Sequence, residues 1–287
     1  MTQLTTPSGN YRRRKLVDKV MTGVAYACTL AAIVPLTLVL VYLVIKGLPA
    51  WNAAFFTQLP QLYGSGGGVA NAIVGTAIIV GLASLMGIPI GVMAGIYLSE
   101  YGDNRLASVI RFMADVMTGI PSIVVGIFVY GLLVVVMDFN GFAGAVSLAI
   151  LMVPIITRTT EEILRLVPNS LREASLALGV TRWKTIVRVV LPAAAGGVLT
   201  GIFLGIARIA GETAPLIFTI LGSNFWNTKV TQGAMAALPL QIYNFARTPY
   251  AAVLEAAWGA ALLLVVIVLV LNLMARLAFG RSRYGGE

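Results

Sequence analysis

The sequence predicts an all-α, polytopic membrane protein, and three observations carry that expectation. Of its 287 residues, 59% are apolar and 11% are charged, where about 25% charged is usual in soluble domains. Mean hydropathy is +0.91. Several apolar runs reach the roughly 20 residues a helix needs to cross a hydrocarbon core of about 30 Å, and helices satisfy their own backbone hydrogen bonds in lipid.

Six spans follow in order. The first, 20–46, is preceded by Arg12, Arg13, Arg14 and Lys15 as a signal peptide would be, but its apolar run is too long and continuous for a cleaved segment and is expected to remain a helix. The second, 70–98, carries Gly87, Gly91 and Gly95, and the fifth, 192–221, carries Gly197, Gly201 and Gly205. Glycines four apart make a flat strip on which another helix packs closely. The third, 107–137, contains Pro121, as the second contains Pro89. The missing N–H kinks a helix there, which suits either a moving bundle or a static irregularity. The fourth and sixth spans are 141–163 and 251–278.

An even number of spans puts both termini on one side. With an inside N-terminus, the outside keeps only Lys46, Lys229 and Arg247, Arg111 and Arg208 lie at or within membrane depth, and every other Lys and Arg falls inside. The positive-inside rule then places both termini in the cytoplasm: residues 1–19 form an N-terminal segment, 20–278 the transmembrane domain and 279–287 a tail. The net charge of +9 is spread between spans and not gathered on a soluble basic face, which excludes nucleic acid as a partner. With no His and with one Cys, Cys28, inside the first span, zinc sites and disulfide frameworks are excluded.

Two outside loops, 47–69 and 222–250, carry Trp51, Phe55, Phe56 and Tyr63, and Phe225, Trp226, Tyr243 and Phe245. These read as interfacial anchors or as a docking surface for an external partner. Gly64, Gly66, Gly67 and Gly68 have no following Lys-Ser/Thr, so they form a connector and not a phosphate loop.

The inside loop 158–192 is explained by no lipid span. Pro168, Asn169 and Ser170 signal a helix start, Gly179 a helix end and Thr181 the cap of a second helix, so two short amphipathic helices are expected on the cytoplasmic face. Within it LREASLALGVTRWKTIVRVVLP, residues 171–192, resembles the EAA loop of ABC importer permeases: E-A-A, three residues, Gly, nine residues, then I-x-L-P. Ser175 stands for the second Ala and Val189 for the Ile. The resemblance implies that a coupling loop, 164–191, inserts into the cleft of a separate ATPase through Arg172, Glu173, Ala174, Ser175 and Gly179, with Leu191 and Pro192 closing the motif. The sequence has no G-x-x-x-x-G-K-[ST], so ATP and magnesium are expected on that partner, no cofactor on this chain, and no enzyme chemistry of its own. A loop resting on anionic headgroups through Arg182, Lys184 and Arg188 would explain the charge but not the Gly and Pro spacing.

Charge inside the membrane costs about 2.5–3.5 kcal/mol per residue and marks function by default. Arg208 and Glu212, four apart in ARIAGETAPLIF, would share one helix face. Arg208 offers a planar fork to an oxyanion that Glu212 would temper, or the two make an internal salt bridge. Arg111 and Asp115 repeat the spacing, followed by Thr118 and Ser122. Arg158, beside Thr157, Thr159 and Thr160, lines a cytoplasmic exit or snorkels to headgroups.

Taken together, TGIPSIVVGIFVY (118–130), TRTTEEILRLVP (157–168), the EAA-like loop and ARIAGETAPLIF (207–218) resemble the phosphate ABC importer permease family over roughly residues 75–279. That resemblance implies a MetI-like type I permease fold in the bacterial inner membrane and import of inorganic phosphate by alternating access. It also implies a second, PstC-like permease subunit, two copies of a PstB-like ATPase and an external PstS-like phosphate-binding protein. It assigns Arg158 and Arg208 to phosphate passage and Glu212 to an R-x-x-G-E element, with Thr118 and Ser122 beside them on the substrate pathway. An Arg fork by itself accepts phosphate, sulfate or molybdate alike. An ion-coupled secondary transporter would need intramembrane carboxylates, for which Asp115 and Glu212 are the candidates. A membrane aspartyl enzyme would have to pair Asp115 with Asp138, which lies far away in depth.

Overall fold

A computed structural model describes residues 9–61 and 67–282. Residues 1–8 of the N-terminal segment, Tyr63, Gly64 and Gly66 of the first outside loop, and residues 283–287 of the tail lie outside them. The chain divides into two compact units, one up to Lys46 and one from Gly47 onward. The first unit is helix α1 (Gly9–Gly47), which runs through Pro35 and begins ahead of the apolar run, so that Arg13, Arg14 and Lys15 are already helical. It is long and apolar enough to cross a membrane.

The second unit is organised around two helices: α3 (Ala70–Glu100), which follows the short α2 (Ala53–Thr57), and α6 (Gly141–Arg165), which follows the pair α4 (Arg105–Gly119) and α5 (Ser122–Met137). A Cβ on Gly87 would lie 3.3 Å from the Met152 sulfur, one on Gly91 2.8 Å from Ile156 Cβ, and one on Gly95 2.5 Å from Thr160 Cβ. The numbers rise together, so the helices run parallel, with α6 laid along the glycine strip of α3. The strip expected on the fifth span meets the same helix from another side. Gly197 faces Ile163, Gly201 faces Thr159 and Gly205 faces Ile156, in descending order, so that span is antiparallel to α6. Ile156 touches both strips, and with Ile79, Leu148, Met152, Ile209 and Ile220 it forms the buried centre.

Two spans differ from the expectation. The third is not one kinked helix over 107–137 but two, α4 (Arg105–Gly119) and α5 (Ser122–Met137), at 102° to one another. Pro121 lacks an N–H and forces its predecessor out of the helical region; Ile120 (φ −72°, ψ 130°) and Pro121 (φ −57°, ψ 132°) are both extended, and two such residues redirect the chain. Among the described residues five helices are long and apolar enough to span, or six if the bent pair counts as one. The fifth span also shifts: it begins at Arg182, ends at Ala210 and is followed by a separate short helix. The second short amphipathic helix of the inside loop is therefore the first turn of this span, α8 (Arg182–Ala210), joined to it by a π-helical turn over residues 186–190 just before Pro192.

Beyond it lie α9 (Ala214–Thr219), α10 (Leu238–Ala246) and α11 (Ala251–Ser282). Several aromatics expected to anchor at the interface are in the core. Phe55 and Phe245 are buried, and the Trp51 indole N–H donates to the Gly259 carbonyl of α11 at 3.0 Å. Phe225 and Trp226 remain exposed.

Candidate coupling and anion-path site

Helix α7 (Asn169–Ala177) carries the EAA-like residues. It starts after the extended Pro168 and stops because Gly179 takes φ +76°, a left-handed conformation that costs an L residue with a side chain. The Gly179 N–H then donates to Leu176 at 2.9 Å and the Val180 N–H to Ser175 at 3.3 Å, which closes the end of the helix. Open space surrounds the Gly179 α-carbon, so backbone angle and not crowding demands the glycine. Glu173, Ala174 and Gly179 are exposed with Leu171, Leu176 and Leu178. Arg172 and Ser175 face the membrane-spanning helices. The buried Ser175 hydroxyl lies 2.9 Å from that of Thr185, a contact the alanine of the family pattern could not make. Thr181 precedes α8 without a side-chain cap bond. Leu191 is half-buried and Pro192 exposed where α8 leaves its π-turn.

Arg172 fixes α7 to the body. Its NH2 group donates to Glu100 Oε1 at 2.7 Å and its Nε lies 3.2 Å from the same oxygen, while the guanidinium also donates to the carbonyls of Leu164 at 2.9 Å and Val167 at 2.6 Å. Arg182 donates to the Glu100 backbone carbonyl, and its guanidinium sits 4.4 Å from the centre of the Tyr101 ring.

A second cluster lies where α4 passes α6. Arg111 and Asp115 repeat the four-residue spacing along one helix, and each reaches across to α6. Arg111 Nε donates to Glu161 Oε1 at 2.6 Å. Arg158 grips Asp115 at two points, Nε to Oδ1 at 2.8 Å and NH2 to Oδ2 at 2.7 Å, and reaches Glu161 Oε2 with NH1 at 3.0 Å. Arg165 closes on Glu161 at 2.7 Å. Glu161 is 1% exposed and holds three arginines. Three guanidinium groups against two carboxylates leave one net positive charge, and most of the Arg158 fork is already engaged. Thr118 donates to the Asp115 backbone carbonyl at 2.7 Å in the last turn of α4, and Ser122, half-buried, opens α5 beyond the Pro121 bend.

Arg208 stands apart from this cluster. Because α8 ends at Ala210, Glu212 is not on its helix face as expected. A tight turn, with the Gly211 N–H on the Arg208 carbonyl and the Glu212 N–H on that of Ile209, still brings the carboxylate to 3.3 Å from the Arg208 NH2 group. The Arg208 side chain is 64% exposed and that of Glu212 15%. Gly201 of α8 is level with Thr159, the neighbour of Arg158. Arg208, seven residues further along α8, is thus about 10 Å from the Arg158 cluster along the helix axis at about 1.5 Å per residue.

Sequence reasoning missed Glu161 and Glu100. Glu161 had a local signal, since Arg158 precedes it by three residues and Arg165 follows by four, the spacings that meet on a helix. Glu100 had none, because its partner Arg172 lies 72 positions away.

Residues 87–283 match the family described as binding-protein-dependent transport system inner membrane component. The chain is 45% identical over 277 residues to the phosphate transport system permease protein PstA of Yersinia pestis, covering 96% of this chain and 93% of that protein. It is 43% identical over 272 residues to the protein of the same name from Haemophilus influenzae, covering 94% and 96%. Among solved structures, it resembles an inward-facing MetNI methionine ABC transporter with a TM-score of 0.60 at 20% identity, covering 75% of this chain and 95% of that one. A bacterial alginate ABC transporter in complex with a periplasmic protein gives 0.63 at 17% identity, covering 90% and 94%. These two show the fold alone. The chain belongs to the binding-protein-dependent transport system inner membrane component family.

Proposed function

We propose, from that membership and from the geometry of the site, that this chain is one permease half of an ATP-driven importer of inorganic phosphate. The relatives named above are phosphate transport system permease proteins, and this chain matches them over nearly their whole length. The observation that carries the anion reading is Arg208. It is held at span depth, most of its surface is open, and its partner carboxylate sits at the long distance of 3.3 Å, so part of its planar donor fork can meet an oxyanion. Arg158, about 10 Å away along the axis, is engaged by Asp115 and Glu161 and would receive the anion only in exchange for a carboxylate.

The remaining parts of the reading follow the same logic. The exposed face of α7 docks on a cytoplasmic ATPase dimer that binds ATP and magnesium, the second permease half completes the passage around Arg208, and an external binding protein delivers phosphate. The termini are cytoplasmic by the distribution of Lys and Arg, in the bacterial inner membrane. Asp115 and Glu212, the carboxylates that an ion-coupled transporter would titrate, lie against Arg158 and Arg208, which argues against that alternative. The test is uptake of labelled phosphate into liposomes holding the four-component complex. Uptake that needs ATP, survives collapse of the proton gradient and is not displaced by excess sulfate supports the reading. Gradient-driven uptake by this chain alone would refute it.

A further inference from the structure

We propose that Glu100 is a positioning residue for energy coupling, one point through which displacement of α7 reaches the arginine cluster around Arg158. The inference rests on the reading of α7 as the ATPase-docking helix.

Glu100 is the last residue of α3 and is buried. A carboxylate there faces the negative end of the helix dipole and is desolvated, both of which disfavour its charge. Two arginines compensate. Arg172 of α7 places Nε and NH2 on the carboxylate, and Arg182 at the start of α8 holds the carbonyl of the same residue. If α7 moved away with Arg172, Glu100 would be left charged, buried and unpaired, so the two residues are constrained to move together.

The turn that follows is gripped from its other side. Arg111 of α4 donates NH1 to the Gly102 carbonyl at 3.0 Å and NH2 to the Leu98 carbonyl at 2.8 Å, and its Nε to Glu161. The second oxygen of Glu161 takes Arg158. One connection from Arg172 to Arg158 therefore runs through Glu100, charge-assisted hydrogen bonds and one short turn of backbone, beside the direct contacts of Arg172 with the carbonyls of Leu164 and Val167 at the end of α6. Such contacts are directional and strong enough to carry a displacement.

The experiment uses the complete importer in liposomes with Glu100→Gln, Arg172→Gln and both together, reading ATPase co-purification and phosphate taken up per ATP hydrolysed. Glu100→Gln should keep the ATPase bound and lower uptake per ATP about tenfold, within the range by which residues remote from a ligand alter coupling. The double variant should be no worse than the poorer single one, because both substitutions break one link. Glu100→Asp, which keeps the charge but draws the carboxylate back by one methylene, should show a smaller loss of the same kind. Unchanged uptake per ATP in Glu100→Gln and Glu100→Asp, or losses that multiply in the double variant, would overturn the proposal. So would a fall in membrane level and in both rates at constant ratio, the mark of a purely structural role. An ATPase that does not co-purify even with the unmodified chain would instead remove the docking reading itself, and this inference with it.

Discussion

Arg158 and Asp115, 43 positions apart, meet through two parallel hydrogen bonds of 2.8 and 2.7 Å. The pair joins α6 to α4 just before the chain turns at Pro121. A two-point arginine–carboxylate contact is geometrically specific as well as strong, so it sets where α4 lies as well as neutralising a charge. Glu161 then takes the donor of Arg158 that faces away from Asp115, and gathers Arg111 and Arg165 with it.

Glu161→Gln should be the most damaging substitution in this cluster. It leaves three arginines without their common carboxylate, and breaking a buried pair costs about 3–5 kcal/mol. Arg165 is half exposed, so a loss of about 2–3 kcal/mol is expected once solvent screening is allowed for. A lowered unfolding temperature in detergent, larger than that of Asp115→Asn, would check it; equal temperatures would contradict it.

The glycine strips give a paired test. Gly91→Ala places a Cβ 2.8 Å from that of Ile156 and should cost about 1–3 kcal/mol by overpacking. Gly81→Ala, in the same helix, meets nothing within 4 Å and should be neutral or stabilising by up to about 1 kcal/mol, since alanine is the better helix former. Thermal stability of the two purified variants decides it, and a similar loss in both would argue against the packing role.

Arg208→Gln should abolish phosphate uptake at unchanged membrane level, and Arg208→Gln with Glu212→Gln should not restore it. A purely structural ion pair predicts the opposite, because removing a whole pair is often neutral. Arg208→Lys should retain little uptake, as an ammonium cannot reproduce the planar fork. Near-normal transport by the double variant would move the anion site to Arg158.

At the coupling helix, Gly179→Val should strain the backbone by about 1–2 kcal/mol at φ +76°, whereas Gly179→Asn should be tolerated, since asparagine visits that region readily. Glu173→Lys, on the exposed face, should leave the fold intact and weaken ATPase co-purification. Co-purification at the unmodified level in both Gly179→Val and Glu173→Lys would remove the docking assignment.

How much was legible in the sequence differs from element to element. Both glycine strips could be read because their period of four is a local property of one helix, and the structure packs them as expected, although not that they share α6. The end of α7 at Gly179 was legible for the same reason. The bend at Pro121 was marked as a kink but not as a break of 102°, because proline fixes its own φ and biases its neighbour while the packing of α5 sets the angle. The four-residue spacing of Arg111 and Asp115 was legible, but their partners on α6 were not.

What the sequence determined by itself is what depends on composition and short spacing: lipid as the solvent, which stretches are apolar and long enough to span it, the side expected to hold the cations, and the EAA-like helix with its terminating glycine. These follow from transfer energies and backbone preferences that act within a few residues. Only the tertiary structure decided which charges neutralise which. Glu161 meets Arg111 across 50 positions and Glu100 meets Arg172 across 72 because the packing of the helices brings their ends together, whereas Arg158 and Arg165 stand three and four residues from Glu161 on its own helix. A buried charge takes whichever counter-charge the packing leaves nearest in space, and spacing along the chain does not encode that distance.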